Sequence, residues 1–591
     1  MSPFTEARIS PKTRYFLKGL FQRATDWVEI NQRLQAVCGV ATFFETSTDA
    51  EALAEHLAVS PRSLPTDDRV AYGDFQTNAT LATRIVGLVK QRGFSPQVVI
   101  EPTCGKGTFL LAALDAFSQQ LQRVIGIEIY QPYVWAAKMA LLEYFLERPH
   151  RKPPQIELLC QDIFSVDLQQ INQEISGRRV LVLGNPPWVT NAQLGAMRVA
   201  NLPHKANFRN LNGLDALTGK SNFDISESIA LMLLRAFQHN SGGMALLLKN
   251  AVIKNLLFEQ PRLQLRIGRV EQYVIDAQKE FGVSVEASLM MCCFDRAPET
   301  QCLRTYLEPS GQTSIRYGWE KDKFVADLKR YRQVQAFDGI CPFEWRQGLK
   351  HDCTAVMELT RVGDGFSSAA DAEVRIENDL VFGLLKSSEL KGGQVAKAKK
   401  YTIVTQRRIG QDTSYIREMY PLTYRYLSTH SERFARRKSS IYRGKPPFSI
   451  FGIGNYSFLP YKVAISGLYK MPVFTLVLPE NGRPLMLDDT CYFIGFEQFS
   501  QAAIAFALLN APPVADLLEA ITFAGAKRRY TKEVLQRIDL GAIAQATPIS
   551  QIQARCRAAQ LENIPSEQDY KAFLDNIRLL MSPTPAQLAL F

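Results

Sequence analysis

The sequence has no run approaching the ~20 consecutive apolar residues that a membrane-spanning helix needs. Its first 30 residues lack the order of charged, apolar and small residues that marks a secretory leader. These absences predict a cytoplasmic chain that spans no membrane. The ten cysteines are scattered without a CxxC pair, and the six histidines show neither HxxxH nor HExxH spacing. No disulfide framework and no metal site is therefore expected. Cys292 and Cys293, adjacent in the apolar run SLMMCCF, read as strand residues rather than ligands. There is no internal repeat, which argues against a solenoid or propeller. No PD-(D/E)xK pattern stands out at either end, so this chain is not expected to cleave nucleic acid.

What is present is an ordinary globular composition, 46% hydrophobic and 21% charged over 591 residues. That length suggests roughly two to four domains. The formal charge of +11 is unevenly spread. Residues 391–470 carry 16 Lys and Arg against 3 Asp and Glu, a local excess of +13, so the remainder sums to about neutral. A confined basic block points to a polyanionic partner, nucleic acid first, with a merely solvated basic face as the bland alternative.

The pattern changes along the chain. Residues 1–70 read as a helical N-terminal region that ends in a break at Pro61, Pro65 and Asp67-Asp68. From 71 to 300, short β-branched runs alternate with helical stretches. The candidate strands are 98–102, 124–129, 156–160, 180–185, 244–250, 270–276 and 288–294. This alternation predicts an α/β, mostly parallel, doubly wound sheet, with the last two runs forming an antiparallel pair at one edge. Residues 301–344 read as a connector. Residues 345–545 mix strands, basic loops and aromatics without βαβ regularity, which predicts a second, α+β domain. Residues 546–591 read as a tail, helical through ISQIQARCRAAQLENI and loose at its Pro-rich end.

The chemistry-bearing motifs fall at strand ends. In EPTCGKGTF, from Glu101, Gly105 and Gly107 allow a tight turn and a close backbone approach, and the following helix start offers unpaired N–H groups. This is neither a GxGxxG dinucleotide fingerprint nor a Walker loop, because no GK[ST] follows. Glu128 ends the next strand, in IGIEIY, where a carboxylate can accept from both ribose hydroxyls. Asp162 and Phe164, in CQDIF, end a third and could read an adenine ring. Each acid alone is more often a loop or cap residue; three successive strand ends carrying a glycine turn, an acid and an acid reverse those odds. The sharpest motif is LGNPPW, where Asn185, Pro186, Pro187 and Trp188 follow a buried apolar strand. The prolines fix the backbone. The Asn185 side-chain oxygen and the Pro186 carbonyl can then face one amino group, with Trp188 as a flat surface for a base.

These segments resemble motifs I to IV of the amino-methyltransferases of DNA. AYGDFQTNATLATRIV (71–86) resembles their motif X, SNFDISESIALMLLRAF their motif V, and GGMALLLKNAVI their motif VI. The order is similar to the gamma group, and segments of 345–545 such as RKSSIYRGKPPFSIFGIGNYSF resemble a TaqI-like target-recognition domain. The resemblance implies a Rossmann-like class I methyltransferase sheet, S-adenosylmethionine as cofactor, and transfer to N6 of a flipped adenine in duplex DNA. It implies that Thr77, Gly105 and Gly107 hold the methionine part, with Glu101 beside its amino group. It further implies Glu128 at the ribose, Asp162 and Phe164 at the adenine, and Asn185 and Pro186 accepting from the target amine. Trp188 and Phe281 would stack on the target base.

Arg407, Arg408, Arg433, Arg436, Arg437, Lys438, Arg443 and Lys445 are candidates for contact with the double-stranded DNA. A restriction-modification or phage-defence setting leaves room for a separate restriction endonuclease or defence-system subunit as partner. The rival readings are transfer to cytosine N4, to RNA or to protein glutamine, and a DNA-binding subunit with an inactive site. Asn rather than Ser before Pro-Pro favours adenine over cytosine.

Overall fold

The computed structural model describes residues 4, 6–7, 9–58, 76–189, 224–308 and 313–582. The expected break at 61–68, residues 71–75 of the motif X-like segment, residues 221–223 of the motif V-like segment and the Pro-rich end from 583 lie outside the described residues. The chain divides into two compact units, 1–324 and 325–591.

The first unit is built on a ten-stranded sheet. Its strands are β1 (Val98–Glu101), β2 (Arg123–Glu128), β3 (Gln155–Cys160), β4 (Val180–Gly184), β5 (Gly242–Lys249), β6 (Ile267–Ile275), β7 (Ala287–Phe294), β8 (Gln301–Tyr306), β9 (Ile315–Glu320) and β10 (Lys323–Val325). The spatial order is β3-β2-β1-β4-β5-β7-β6-β8-β9-β10. β1 to β5 pair in parallel. The central runs VVIE of β1 and VLVLG of β4 are buried along their whole length. That is the behaviour of parallel strands covered on both faces. The expectation of an α/β, mostly parallel methyltransferase-type sheet is met.

Three placements differ from the sequence reading. β7 is antiparallel to both β5 and β6, as the short connection suggests, but the pair is internal rather than at an edge. Residues 301–325 are not a connector. β8 adds in parallel to β6, and β9 follows it antiparallel. The N-terminal helices Pro11–Arg23 and Trp27–Cys38 are not a separate body either. Leu17, Leu34, Phe43 and Phe44 share one apolar core with Trp135 and the sheet helices. Val40 bridges to Ile156 of β3, and the buried Lys138 ammonium donates to Phe43 O at 2.8 Å. Leu17 and Leu34 lie on the apolar faces of capped helices, each with a side-chain acceptor at its N-terminus, Ser10 and Asp26.

The second unit holds two five-stranded sheets of short, mostly antiparallel strands, in keeping with the α+β expectation. The longest pair joins Tyr461–Ser466 to Cys491–Phe496. Behind it pack two apolar helices, Phe499–Leu509 and Pro512–Ile521, buried in the unit's main core. No single helix among the described residues is long and apolar enough to cross a membrane. The helices Ile549–Ala558 and Glu567–Met581 place Ile552, Cys556, Phe573 and Ile577 in the same core, so 549–581 is an integral layer and not a tail.

Candidate active site

Between β1 and β4 the chain changes direction of travel across the sheet, and the C-terminal strand ends there mark the switch point at which open α/β sheets bind ligands. After β1 the chain turns through Gly105 and Gly107, both left-handed at φ +51° and +80°, and enters the helix Thr108–Phe117. A Cβ at Gly105 would stand 2.9 Å from the Gln76 side chain, and one at Gly107 would stand 3.2 Å from the Ala137 Cβ. The left-handed backbone at both positions favours glycine, and the turn is closely packed as well. The sequence reading did not single out Gln76, which packs over the turn from the segment preceding the helix Ala79–Gln91.

Glu128 ends β2 with its carboxylate gripped by two backbone amides. Gly105 N–H donates at 2.9 Å to one oxygen and Tyr130 N–H at 2.9 Å to the other. These two bonds fix its orientation. Glu101, at the end of β1, is 2% exposed. One of its oxygens is buried without a hydrogen-bond partner among the described residues. Burial pushes its carboxyl well above the usual carboxylate range, the Glu128 charge adds to this, and the Leu110 amide opposes it. A buried carboxyl so placed calls for a cation, which would repay its desolvation. Asp162 caps a short turn by accepting from Phe164 N–H at 3.0 Å, with both residues half-buried.

Asn185 follows β4 directly. Its Nδ2 donates to Thr77 Oγ1 at 3.3 Å, and its carbonyl accepts from Thr103 Oγ1 at 3.4 Å. Thr77 and Asn185 are thus brought together from 108 residues apart, and Thr77 here orients the amide. Trp188 is buried, with its indole N–H donating to Leu247 O of β5 at 3.2 Å. Its ring meets Phe281 edge to face, with centroids 5.1 Å apart. The two rings are in direct contact, with no space for a base between them in this arrangement. Phe281 closes the short helix Ala277–Phe281, which is pinned through Glu280. That carboxylate takes Asn78 Nδ2 at 3.0 Å and Arg84 at 3.2 Å.

A second anchor escaped sequence reading. Lys249, at the end of β5, makes a 2.6 Å ion pair with the buried Asp224, which caps the helix Ile225–Phe237. Ile225 N–H in turn donates to Val189 O, directly after the NPPW segment. Nothing local marks this pair, because its members lie 25 residues apart and belong to different elements.

The basic residues of the second unit divide into two kinds. Arg408, Arg433, Lys438, Arg443 and Lys445 are exposed. Arg436 is exposed and pairs with Glu432 at 3.3 Å, and Arg407 lies over the Phe458 ring at 4.6 Å. Arg437 is different. Its guanidinium donates to Phe434 O, His351 O and Ser449 O and stacks 3.6 Å over Tyr442. With three of its five N–H donors on backbone carbonyls, it is built into the fold as a structural tie.

No protein-family model matches the chain. A relative in Nostoc sp. (strain ATCC 29411 / PCC 7524), the type II methyltransferase M.NspV, is 36% identical over 478 residues, which is 81% of this chain and 98% of that protein. Among solved structures, the type IIL restriction-modification enzyme MmeI in complex with DNA aligns over 99% of this chain and 81% of its own, at 14% identity and a TM-score of 0.49. The type IIG restriction endonuclease BpuSI aligns over 98% of this chain and 77% of its own, at 12% identity and a TM-score of 0.35.

Proposed function

The chain belongs to the type II methyltransferase family, and on that premise we propose that it methylates the N6 amino group of an adenine flipped out of duplex DNA. It is a methyltransferase of the restriction-modification type, and S-adenosylmethionine is its cofactor. The residues at these strand ends fit that group: a left-handed glycine turn closely packed by Gln76 and Ala137, an oriented acid at Glu128, and a buried carboxyl oxygen of Glu101 without a partner among the described residues. We assign Glu101 to the cofactor's ammonium group, Glu128 to its ribose hydroxyls, and Asp162 with Phe164 to its adenine.

The observation that carries the reading is Asn185, set at the end of β4 between two prolines and the hydroxyls of Thr77 and Thr103. The amino nitrogen of adenine is a poor nucleophile because its lone pair is delocalised into the ring. Asn185 Oδ1 and the Pro186 carbonyl accept hydrogen bonds from its two N–H groups and favour a pyramidal nitrogen whose lone pair is directed outward. No base is needed before attack, since the proton can leave afterwards. The protein's contribution is position and preorganised charge. When bound, S-adenosylmethionine supplies the electrophilic methyl group.

An intrahelical base cannot reach such a site, so the target must leave the stack. Trp188 is the fixed face against which it rests. Because Phe281 occupies the space beside Trp188 and its helix is pinned, entry requires the Phe281 side chain to turn away. The exposed Arg408, Arg433, Lys438, Arg443 and Lys445 grip phosphates. We place any paired cleavage activity on a separate endonuclease. Incubation of the protein with cofactor and duplex DNA, followed by mass spectrometry of the nucleosides, tests the reading. N6-methyladenine is expected; N4-methylcytosine, or no methylated nucleoside, overturns it.

A further inference from the structure

The second unit contains a cavity of about 730 Å³ whose walls come from the helix Pro421–Thr429, the helix Ser431–Ala435 and the loop 439–448. The volume is in the range of small-molecule sites. Arg417, Arg443 and Lys445 stand on it, and Asp412 is the one acidic residue in its lining. Aromatic side chains form much of the remaining wall. Tyr424 packs edge to face on Phe448, and the Arg417 guanidinium lies 6.0 Å over the Tyr424 ring.

The loop that closes this cavity is held in a strained shape. Phe448 has φ +59°, a left-handed conformation that a bulky L-residue adopts only under constraint. The constraint is visible, because four successive carbonyls are each taken by a side chain. Ser449 Oγ donates to Pro446 O at 2.5 Å, Thr413 Oγ1 to Pro447 O at 2.6 Å, Thr405 Oγ1 to Phe448 O at 2.8 Å, and Arg437 to Ser449 O at 2.7 Å. A loop so over-determined is preorganised, and its ordering is not charged to a ligand on binding.

We propose that this cavity receives one nucleotide of the DNA strand, unstacked, with its phosphate on Arg417, Arg443 and Lys445 and its base against the aromatic wall. A phosphate alone has no use for aromatic surface. A base turned out of the stack recovers stacking there, at about 1–3 kcal/mol per base in known single-strand sites. The proposal rests on the reading that the second unit grips DNA, and it adds a pocket to what would otherwise be a surface.

Filling the pocket without touching its charge tests it. In the full-length protein, Ser428→Trp and, separately, Ala435→Trp should each weaken binding of a duplex at least tenfold, with thermal unfolding and cofactor affinity unchanged. Equal duplex affinity in parent and both variants overturns the pocket and leaves DNA binding by the unit standing. A parent that binds no duplex overturns both. Thymidine 5′-monophosphate, which has no adenine to enter the cofactor site, gives a second reading by titration. It should bind at least tenfold tighter than inorganic phosphate, and the advantage should vanish in Ser428→Trp. Equal binding of the two would reduce the cavity to an anion site and overturn the proposal.

Discussion

The two units carry their proposed functional residues in opposite ways. In the first, they sit at the ends of buried strands, within a few residues of the apolar run that positions them: Glu101 after VVI, Glu128 after VIGI, Asn185 after VLVLG. In the second, they sit on helices and loops whose shape is set by side-chain bonds to backbone carbonyls, such as those that hold 446–449. A strand end is rigid because the sheet is rigid. A loop is rigid only where partners distant in sequence make it so. Chemistry that needs a group placed within a fraction of an ångström belongs on the first kind of support, and recognition that must differ between relatives belongs on the second.

The contrast should be greatest in the chemical step. Asn185→Ala removes one of two proposed acceptors for the target amine while the sheet, the glycine turn and Trp188 stay in place. Single-turnover methylation should fall on the order of a hundredfold or more. Duplex and cofactor affinities should change little. A near-parental single-turnover rate would remove Asn185 from the chemistry and with it the distinction drawn between the two supports.

This difference in support also sets what could be read from the sequence. All seven runs named as strands are strands, within three residues at each end, because each is a short, largely apolar run bounded by turns, whether it pairs in parallel, as in β1 to β5, or antiparallel, as in β7. β8 to β10 were legible only as a connector. QCLRTY and IRYGWE are mostly half-buried, so neither a continuous apolar run nor a clean alternation appears. Arg437 and Lys445 look alike in sequence, yet one is tied to three carbonyls and the other is exposed. The carbonyl partners lie up to 86 residues away, and no local pattern records them. The same holds for Asp224 with Lys249 and for the contact that brings Phe281 onto Trp188.

Charge in the second unit should therefore separate into two behaviours. Arg443→Ala with Lys445→Ala should cost roughly tenfold to a hundredfold in duplex affinity at moderate salt, and should lower the slope of log affinity against log salt by about one per lost phosphate contact. Arg437→Ala should lower the unit's thermal stability, because it leaves buried carbonyls unpaired. Its salt slope should stay near parental. An Arg437→Ala protein with parental stability and a reduced salt slope would return that residue to the DNA surface.

A smaller effect is expected at the cofactor's edge. Burial raises the Glu101 carboxyl pKa, and a bound ammonium group favours its ionised form. Affinity for S-adenosylmethionine should fall as pH drops through that raised value. Glu101→Gln should bind about tenfold more weakly at high pH and should lose this pH dependence. Calorimetry of both proteins over a pH series running upward from the ordinary carboxylate range decides it: parallel profiles would place the ammonium elsewhere.

The smallest functional effect should come from Lys462, which contributes to the local +13 in sequence but not to the surface. It is fully buried in the strand Tyr461–Ser466, donates to Leu459 O at 2.6 Å, and lies 5.9 Å from the centroid of the Phe493 ring. Burial brings its pKa down from 10.5 to about 7. Between those values the unfolded chain holds a proton that the folded chain does not. The unfolding free energy of the second unit should therefore rise with pH from about 7 toward 10.5 and be insensitive to this group below 7. Lys462→Met removes the ionisable group and keeps the volume. It should abolish that rise and stabilise the unit at neutral pH by on the order of 1 kcal/mol, since a buried charge replaced by an apolar group of similar size is neutral to favourable. Duplex affinity and salt slope should not move, because the ammonium never faced the DNA. A loss of duplex affinity in Lys462→Met, with stability unchanged, would show that this lysine reaches the DNA surface and that burial does not divide the unit's cations as drawn above.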